Sequence, residues 1–253
     1  MNSEIFPDES GFCSELDKIF EENGLTEYLN AQTRSLFYRF THTLWQTNKS
    51  LNLTALTDVR DMILKHLADS LLVAPYFDKD AKIIDVGCGG GFPTFPLAIA
   101  RPDLKITALD STEKKINFVR NTAAELGLDN VTALCGRAEE LASGDMRECY
   151  DYATARAVAA LPVLTELCLP FVKVGGSFVA MKSVRIDEEL AAAKKKNIFS
   201  QLGGEKEPRI DTVCLRCDGE ELFRSISVTK KISQTPARYP RPYAQIVKDS
   251  KKK

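Results

Sequence analysis

Leu29, Leu36, Phe37, Phe40, Leu44 and Trp45 return at the three- and four-residue steps of a helix, with polar residues filling the intervals. The same period continues through Val59, Met62, Ile63, His66, Leu67, Ser70, Leu71 and Ala74, so the first 80 residues read as helices. Between these stripes, Asn48 to Thr57 is a polar stretch interleaved with Leu51, Leu53 and Leu56 and is predicted to be a loop. From residue 82 the pattern changes. Short apolar and β-branched runs at 82–88, 105–110, 131–136, 150–156, 176–182, 210–217 and 223–232 predict strands. Helical stretches near 94–101, 112–127, 137–142, 160–171 and 187–199 separate most of them. In the second of these helices Ile116, Val119, Ala123 and Leu126 form one stripe, and Gly127 supplies the stop. Strands joined by crossover helices predict an α/β fold: a doubly wound, mostly parallel seven-stranded sheet behind an N-terminal helical segment. The expected organisation is a helical segment 1–80, a sheet domain 81–233 and a tail 234–253, whose Pro236, Pro240 and Pro242 discourage any regular element.

The loop after the first predicted strand carries the chemistry. Asp85-Val86-Gly87-Cys88-Gly89-Gly90-Gly91 follows Lys82-Ile83-Ile84 and leads into Phe92-Pro93-Thr94 and an apolar helix. Glycines at that junction let a nucleoside lie against bare backbone. A dinucleotide fingerprint would need a third glycine where Phe92 stands, and a P-loop would need Gly-Lys-Ser/Thr, so neither cofactor class fits. What remains is D-x-G-x-G-x-G, filled by Asp85, Gly87, Gly89 and Gly91, which resembles the first motif of class I (Rossmann-like) S-adenosylmethionine-dependent methyltransferases.

In open α/β sheets a ligand lies beyond the carboxyl ends of the strands, so each strand end is a candidate contact. The second strand ends at Asp110, whose carboxylate can accept hydrogen bonds from both ribose hydroxyls. The third ends at Gly136 and runs into Arg137-Ala138-Glu139-Glu140, a small residue and an acid placed for the base. The fourth ends in Thr154-Ala155-Arg156. It lacks the Asn/Asp-Pro-Pro-aromatic segment of exocyclic amine methylation, and no cysteine stands in a nucleophile motif. An acceptor with a free lone pair and no proton to lose is expected, and guanine N7 fits.

Charge adds a second partner. Residues 230–253 hold eight Lys/Arg against Asp249 alone, a net +7, so the overall −1 leaves −8 for everything before them. Such a tail suits phosphates, and Lys182, Arg185, Lys251, Lys252 and Lys253 are the expected RNA contacts. The seven cysteines are scattered, and Cys214 with Cys217 makes the one close pair, without a second pair or a neighbouring His; no metal site is expected. Apolar runs fall short of the ~18 residues of a membrane span and the N-terminus is acidic, so a cytoplasmic protein without a membrane partner is expected.

Taken together, these residues resemble, over nearly the whole chain, the glucose-inhibited division protein B family, the bacterial small-subunit ribosomal RNA guanine-N7 methyltransferases. The resemblance is carried by Asn52-Leu53-Thr54-Ala55, His66-Leu67-Ala68-Asp69-Ser70, the segment from Asp85 to Pro93, Leu109-Asp110-Ser111, Arg137-Ala138-Glu139-Glu140, Arg156-Ala157 and Met181-Lys182. It implies S-adenosylmethionine as cofactor, held by Gly87, Phe92, Ala138, Glu139 and Arg156, with Asp110 the physical candidate for the ribose. It also implies ribosomal RNA or a ribosomal subunit as partner, and a monomer is expected. Two positions depart from the family: Thr94 stands where glycine is usual, and Pro242-Tyr243-Ala244-Gln245-Ile246 where Lys-Ala-Gly-Thr-Pro is common. His66 is expected to be a buried structural histidine bonded to Asp69, because N7 alkylation gives a general base nothing to do. The rival readings are a small-molecule methyltransferase of this fold and an RNA-binding protein that only senses S-adenosylmethionine.

Overall fold

The structure, a computed structural model, describes residues 5–156, 158–183 and 186–250. It opens with α1 (Glu9–Glu22), capped by the Asp8 carboxylate on the Gly11 N–H, and α2 (Ala31–Leu51), closed into a capping box by Asn30 and Thr33. A continuous helical run follows, made of α3 (Val59–Met62), a π-helical stretch Ile63–Ala68, and α4 (Asp69–Leu71). Then come β1 (Lys82–Val86), α5 (Thr94–Ala100), β2 (Lys105–Asp110), α6 (Glu113–Leu126), β3 (Val131–Cys135), α7 (Ala138–Leu141) and β4 (Tyr150–Arg156). The chain finishes with α8 (Leu161–Cys168), β5 (Val172–Ser183), α9 (Ile186–Lys195), α10 (Ile198–Gln201), β6 (Arg209–Cys217), β7 (Glu220–Lys230) and α11 (Tyr243–Ser250).

The strands form one seven-stranded sheet in the order β3-β2-β1-β4-β5-β7-β6, parallel except where β7 runs against β5 and β6. This is the doubly wound sheet expected from the sequence. The chain winds outward from β1 to β3, then restarts on the other side of β1 with β4. The two directions part at the carboxyl ends of β1 and β4, where such sheets leave a crevice.

Alternation along the strands builds a core on each face. Ile83 and Ile106 point into one, with α5, α6 and the N-terminal helices; Ile84, Leu109, Ala153 and Phe178 point into the other, with α8 to α11. The N-terminal segment therefore shares a core with the sheet: Phe40 of α2 packs on Phe92 and Phe95, ring centroids 5.4 and 4.6 Å away. The stripe of α6 is buried as its spacing predicts, and Gly127 ends it at φ +69°.

Two expectations need correcting. Asn48 to Leu51 is the last turn of α2 rather than loop, because the helix runs on until Asn52 adopts the left-handed conformation at φ 49°. The tail is not without structure. Lys231, fully buried, donates to the carbonyls of Leu169 and Val172 and to Thr235 Oγ1 at 2.6 Å. Arg147 binds the carbonyls of Tyr239 and Thr235, and Arg241 grips the buried Glu166 with its backbone N–H, Nε and Nη2. Those prolines initiate and steer the segment, which then forms α11 with Ile246 buried.

Candidate active site

The glycine loop sits at the crevice because β1 ends there, and its glycines answer to several constraints. Gly87 (φ +78°) and Gly91 (φ +87°) hold a backbone that side chains resist. A Cβ on Gly91 would lie 2.2 Å from the Phe95 ring, and one on Gly87 would lie 2.5 Å from Val158. Gly91 is thus required by the packing of α5 beneath the loop, whereas Gly89 meets nothing closer than a carbonyl at 4.0 Å.

Beside the loop a cleft of about 300 Å³ is lined by Gly87, Asp110, Gly136, Arg137, Ala138, Glu139, Val158 and Tyr243. The ends of β1, β2 and β3 build it, as the strand-end reading requires. Asp110 receives the Gly89 N–H at 3.1 Å on Oδ2 and the Thr112 N–H at 2.9 Å on Oδ1, and Lys115 lies 4.0 Å off. Each oxygen keeps a lone pair for a further donor. Glu139, at the start of α7, receives Arg137 Nε at 3.1 Å. A larger cavity of about 550 Å³ opens at the opposite, amino ends of the strands, around Lys82, Lys105 and Asn130. Crevice binding at the carboxyl ends favours the smaller one.

Phe92 and Arg156 stand away from that cleft. Arg156 ends β4 and turns toward the helical segment. Its Nη1 donates to the Lys65 carbonyl (3.0 Å) and Asp69 Oδ2 (3.1 Å), and its Nη2 to His66 Nδ1 (3.0 Å). The guanidinium carbon lies 5.0 Å from the Phe92 ring, on which His66 stacks at 4.2 Å. His66 is half-buried rather than buried, and its partner is not Asp69. Because Arg156 can only donate, Nδ1 is the acceptor, and Nε2 carries the proton toward Thr54 Oγ1 at 2.6 Å. Asp69 is taken instead by Arg156 and by Arg224 Nε (2.8 Å), two permanent cations that outcompete a neutral ring. Burial, then the Arg156 charge, pushes the His66 pKa down to about 3.

Sequence reasoning gave no role to Asp85 beyond the motif. It is fully buried, with Oδ2 receiving the Thr94 hydroxyl at 2.6 Å and Oδ1 without a hydrogen-bond partner among the described residues. Burial pushes its carboxyl up to about 7, against the Thr94 bond. The departure at Thr94 therefore has a local cause: a hydroxyl here holds the motif's own acid.

Lys182 donates to the Ala159 carbonyl (2.9 Å) and pairs with Glu189 (2.7 Å), which fixes its head instead of leaving it extended. Arg185 and Lys251 to Lys253, also expected at RNA, lie outside the described residues. Cys214 and Cys217 lie in β6, and no cluster of His, Cys, Asp or Glu among the described residues could hold a metal. No helix among them is long and apolar enough to cross a membrane. Tyr243, like Lys115, Val158 and Leu167, lines the cleft without being among the strand-end candidates. It comes from the tail, and only tertiary docking brings it here.

Comparison with known proteins agrees with this geometry. A family described as rRNA small subunit methyltransferase G matches residues 33–214. The ribosomal RNA small subunit methyltransferase G of Deinococcus radiodurans is 49% identical over 208 residues, covering 81% of this chain and 80% of that protein. Those of Alkaliphilus oremlandii and Exiguobacterium sp. are 43% and 44% identical, covering 90% and 82% of this chain and 95% and 86% of theirs.

Proposed function

The chain belongs to the rRNA small subunit methyltransferase G family, and from that premise we propose that it methylates guanine N7 in small-subunit ribosomal RNA. It is an S-adenosylmethionine-dependent rRNA methyltransferase. The observation that carries the reading is this family match over a chain whose strand-end carboxylates converge on one cleft.

The residues fit the donor. In a site with two acidic side chains, Asp110 and Glu139, around bare backbone at Gly87 and the small side chain of Ala138, a ribose diol and a base edge find acceptors and room. We assign Asp110 to the ribose, Gly87, Ala138 and Glu139 to the nucleoside, and Phe92 with Arg156, away from that cleft, to the methionine end. When bound, S-adenosylmethionine supplies a methyl group on a cationic sulfur. The protein's part is orientation and exclusion of water. No side chain has to take a proton, because N7 carries none; His66, neutral and bonded on both nitrogens, acts as a strut between Thr54 and Arg156. Arg156 in turn is held off the acceptor by Asp69, the Lys65 carbonyl and His66, so it adds no unpaired cation beside a purine that is becoming positive.

We further read residues 1–80, 81–233 and 234–253 as helical flank, donor domain and RNA-side tail of a cytoplasmic monomer. Incubation with labelled donor, small ribosomal subunits and naked RNA, followed by nuclease digestion and mass spectrometry, tests the activity. N7-methylguanosine is expected, and a methyl group on another guanine atom, or none, overturns the reading. For the site, Asp110→Ala should weaken donor binding by about 1.5 to 3 kcal/mol in calorimetry, the scale of charge-assisted hydrogen bonds. Unchanged affinity in a folded variant would reject the ribose assignment.

A further inference from the structure

Strand ends alone do not close the Asp110 cleft. Tyr243, the first residue of α11, lines it together with Arg137, Ala138 and Glu139. Its ring stands 4.8 Å from the Arg137 guanidinium carbon, and it is 38% exposed, a large aromatic surface left open at the mouth of a cavity. Nor is the ring on a loose end. Arg241, two residues earlier, is clamped on Glu166 and reaches Asp249 at 2.7 Å, while Ile246, one turn later, is buried. The docked tail therefore presents an aromatic face at a fixed place, beside the strand ends that supply carboxylates and bare backbone.

We propose that Tyr243 is the stacking surface for the purine of the nucleoside donor, so that the C-terminal segment completes a pocket begun by β1, β2 and β3. This rests on the assignment of that cleft to the donor. The acids and backbone groups there satisfy hydroxyls and a base edge, and the apolar lining from Val86, Leu109, Val158 and Leu167 is aliphatic, so Tyr243 is the aromatic face the cleft offers to a planar base. An aromatic ring stacks on such a base whatever the polar pattern of its edge. Arg137, against the Tyr243 ring, holds it in orientation through its charge and also binds Glu139, which ties the wall to the floor.

Calorimetry with S-adenosylhomocysteine and with 5′-methylthioadenosine, which lacks the amino-acid end, tests this on the full chain. Tyr243→Ala and Tyr243→Leu should each weaken both ligands about fivefold or more and by similar factors, as for loss of one base–aromatic stack, while Tyr243→Phe keeps wild-type affinity. Thermal unfolding of the same variants checks that α11 stays docked; the leucine variant keeps apolar bulk there without a π-face. Wild-type affinity in the alanine and leucine variants overturns the proposal. So does a loss in the phenylalanine variant equal to that of alanine, or a loss confined to S-adenosylhomocysteine. Asp110→Ala separates the two levels: if it weakens both ligands while Tyr243→Ala does not, the cleft is the donor site and the stacking role fails. If neither variant changes affinity, the cleft assignment itself is wrong.

Discussion

Asp85 is an acid that water does not reach, and its protonation should be visible in the stability of the whole protein. The unfolded chain releases the proton near 3.8, whereas the folded chain keeps it to about 7. The folded state binds the extra proton between those values, so this group's contribution is full below about 3.8, declines as pH rises to about 7, and is flat above. Asp85→Asn keeps an acceptor for Thr94 and removes the titration. It should match the wild type at pH 3.5 and exceed it by up to about 4 kcal/mol at pH 8, on the scale of 1.36 kcal/mol per unit. Denaturant melts that differ by the same amount at both pH values would show that Asp85 is ionised in the fold. His66 has the opposite sign. Its folded pKa is depressed to about 3 from 6.5, so its contribution is present above 6.5 and lost as pH falls toward 3. His66→Gln should therefore gain on the wild type below pH 6.5, and should keep turnover within about tenfold. A folded variant a thousandfold slower would make His66 an acid–base group after all, that being near the usual scale for losing one. Asp110 was legible in the sequence because strand ends are countable. The partner of His66 was not, since Arg156 and Arg224 arrive from strands far along the chain.

The elements themselves were largely readable, because β-branched runs and helical stripes alternate without ambiguity between residues 82 and 201. α1 fell within the helical first 80 residues but was not delimited there, and α11 escaped, for different reasons. α1 carried its own signal: Asp8 as cap and Phe12, Leu16, Ile19 and Phe20 on one stripe, all buried. It lay in a stretch whose acidity drew attention instead. α11 carried little local signal; it follows three prolines and is short, and its stability comes from ion pairs across the molecule. The anchoring should be measurable at Lys231. Lys231→Met keeps much of the buried volume but removes the Nζ donor from the Leu169 and Val172 carbonyls and the cation 3.2 Å from Glu148, which is left with the Thr235 N–H. Breaking a buried pair from one side costs about 3 to 5 kcal/mol. A loss of about 3 kcal/mol is expected in denaturant melts, together with faster proteolytic cleavage after residue 233. A variant as stable as wild type would mean that Arg147 and Arg241 hold the tail without it.

At the scale of the molecule, charge and topology have to be read together. The sequence alone puts +7 in the last 24 residues, but the fold spends part of it: Lys231 is buried on Glu148 and two carbonyls, and Arg241 is matched by Glu166 and Asp249. Of the eight cations, at most six remain for phosphate, Lys230, Arg238, Lys248 and the terminal Lys251, Lys252 and Lys253. The same docking places α11 against the Asp110 cleft through Tyr243, so on the proposed assignments the RNA-side tail would start where the donor pocket ends. If about three of those six meet a partly single-stranded RNA, log K should fall with log salt at a slope near −2, from about −0.7 per contact. Removing Lys251, Lys252 and Lys253 takes away charge without touching the Arg241 clamp or the Tyr243 ring. The slope should then flatten toward zero by as much as about 2, while affinity for S-adenosylhomocysteine stays at the wild-type value. Filter binding of the RNA across a salt series, beside calorimetry of the donor analogue, reads both. An undiminished slope would move the phosphate contacts off the three terminal lysines, onto Lys230, Arg238 and Lys248 or off the tail altogether. Lys182 is tied to Glu189 and Lys194 to Glu207 at 3.0 Å, so the search would then pass to the exposed cations of the helical flank that packs against the glycine loop.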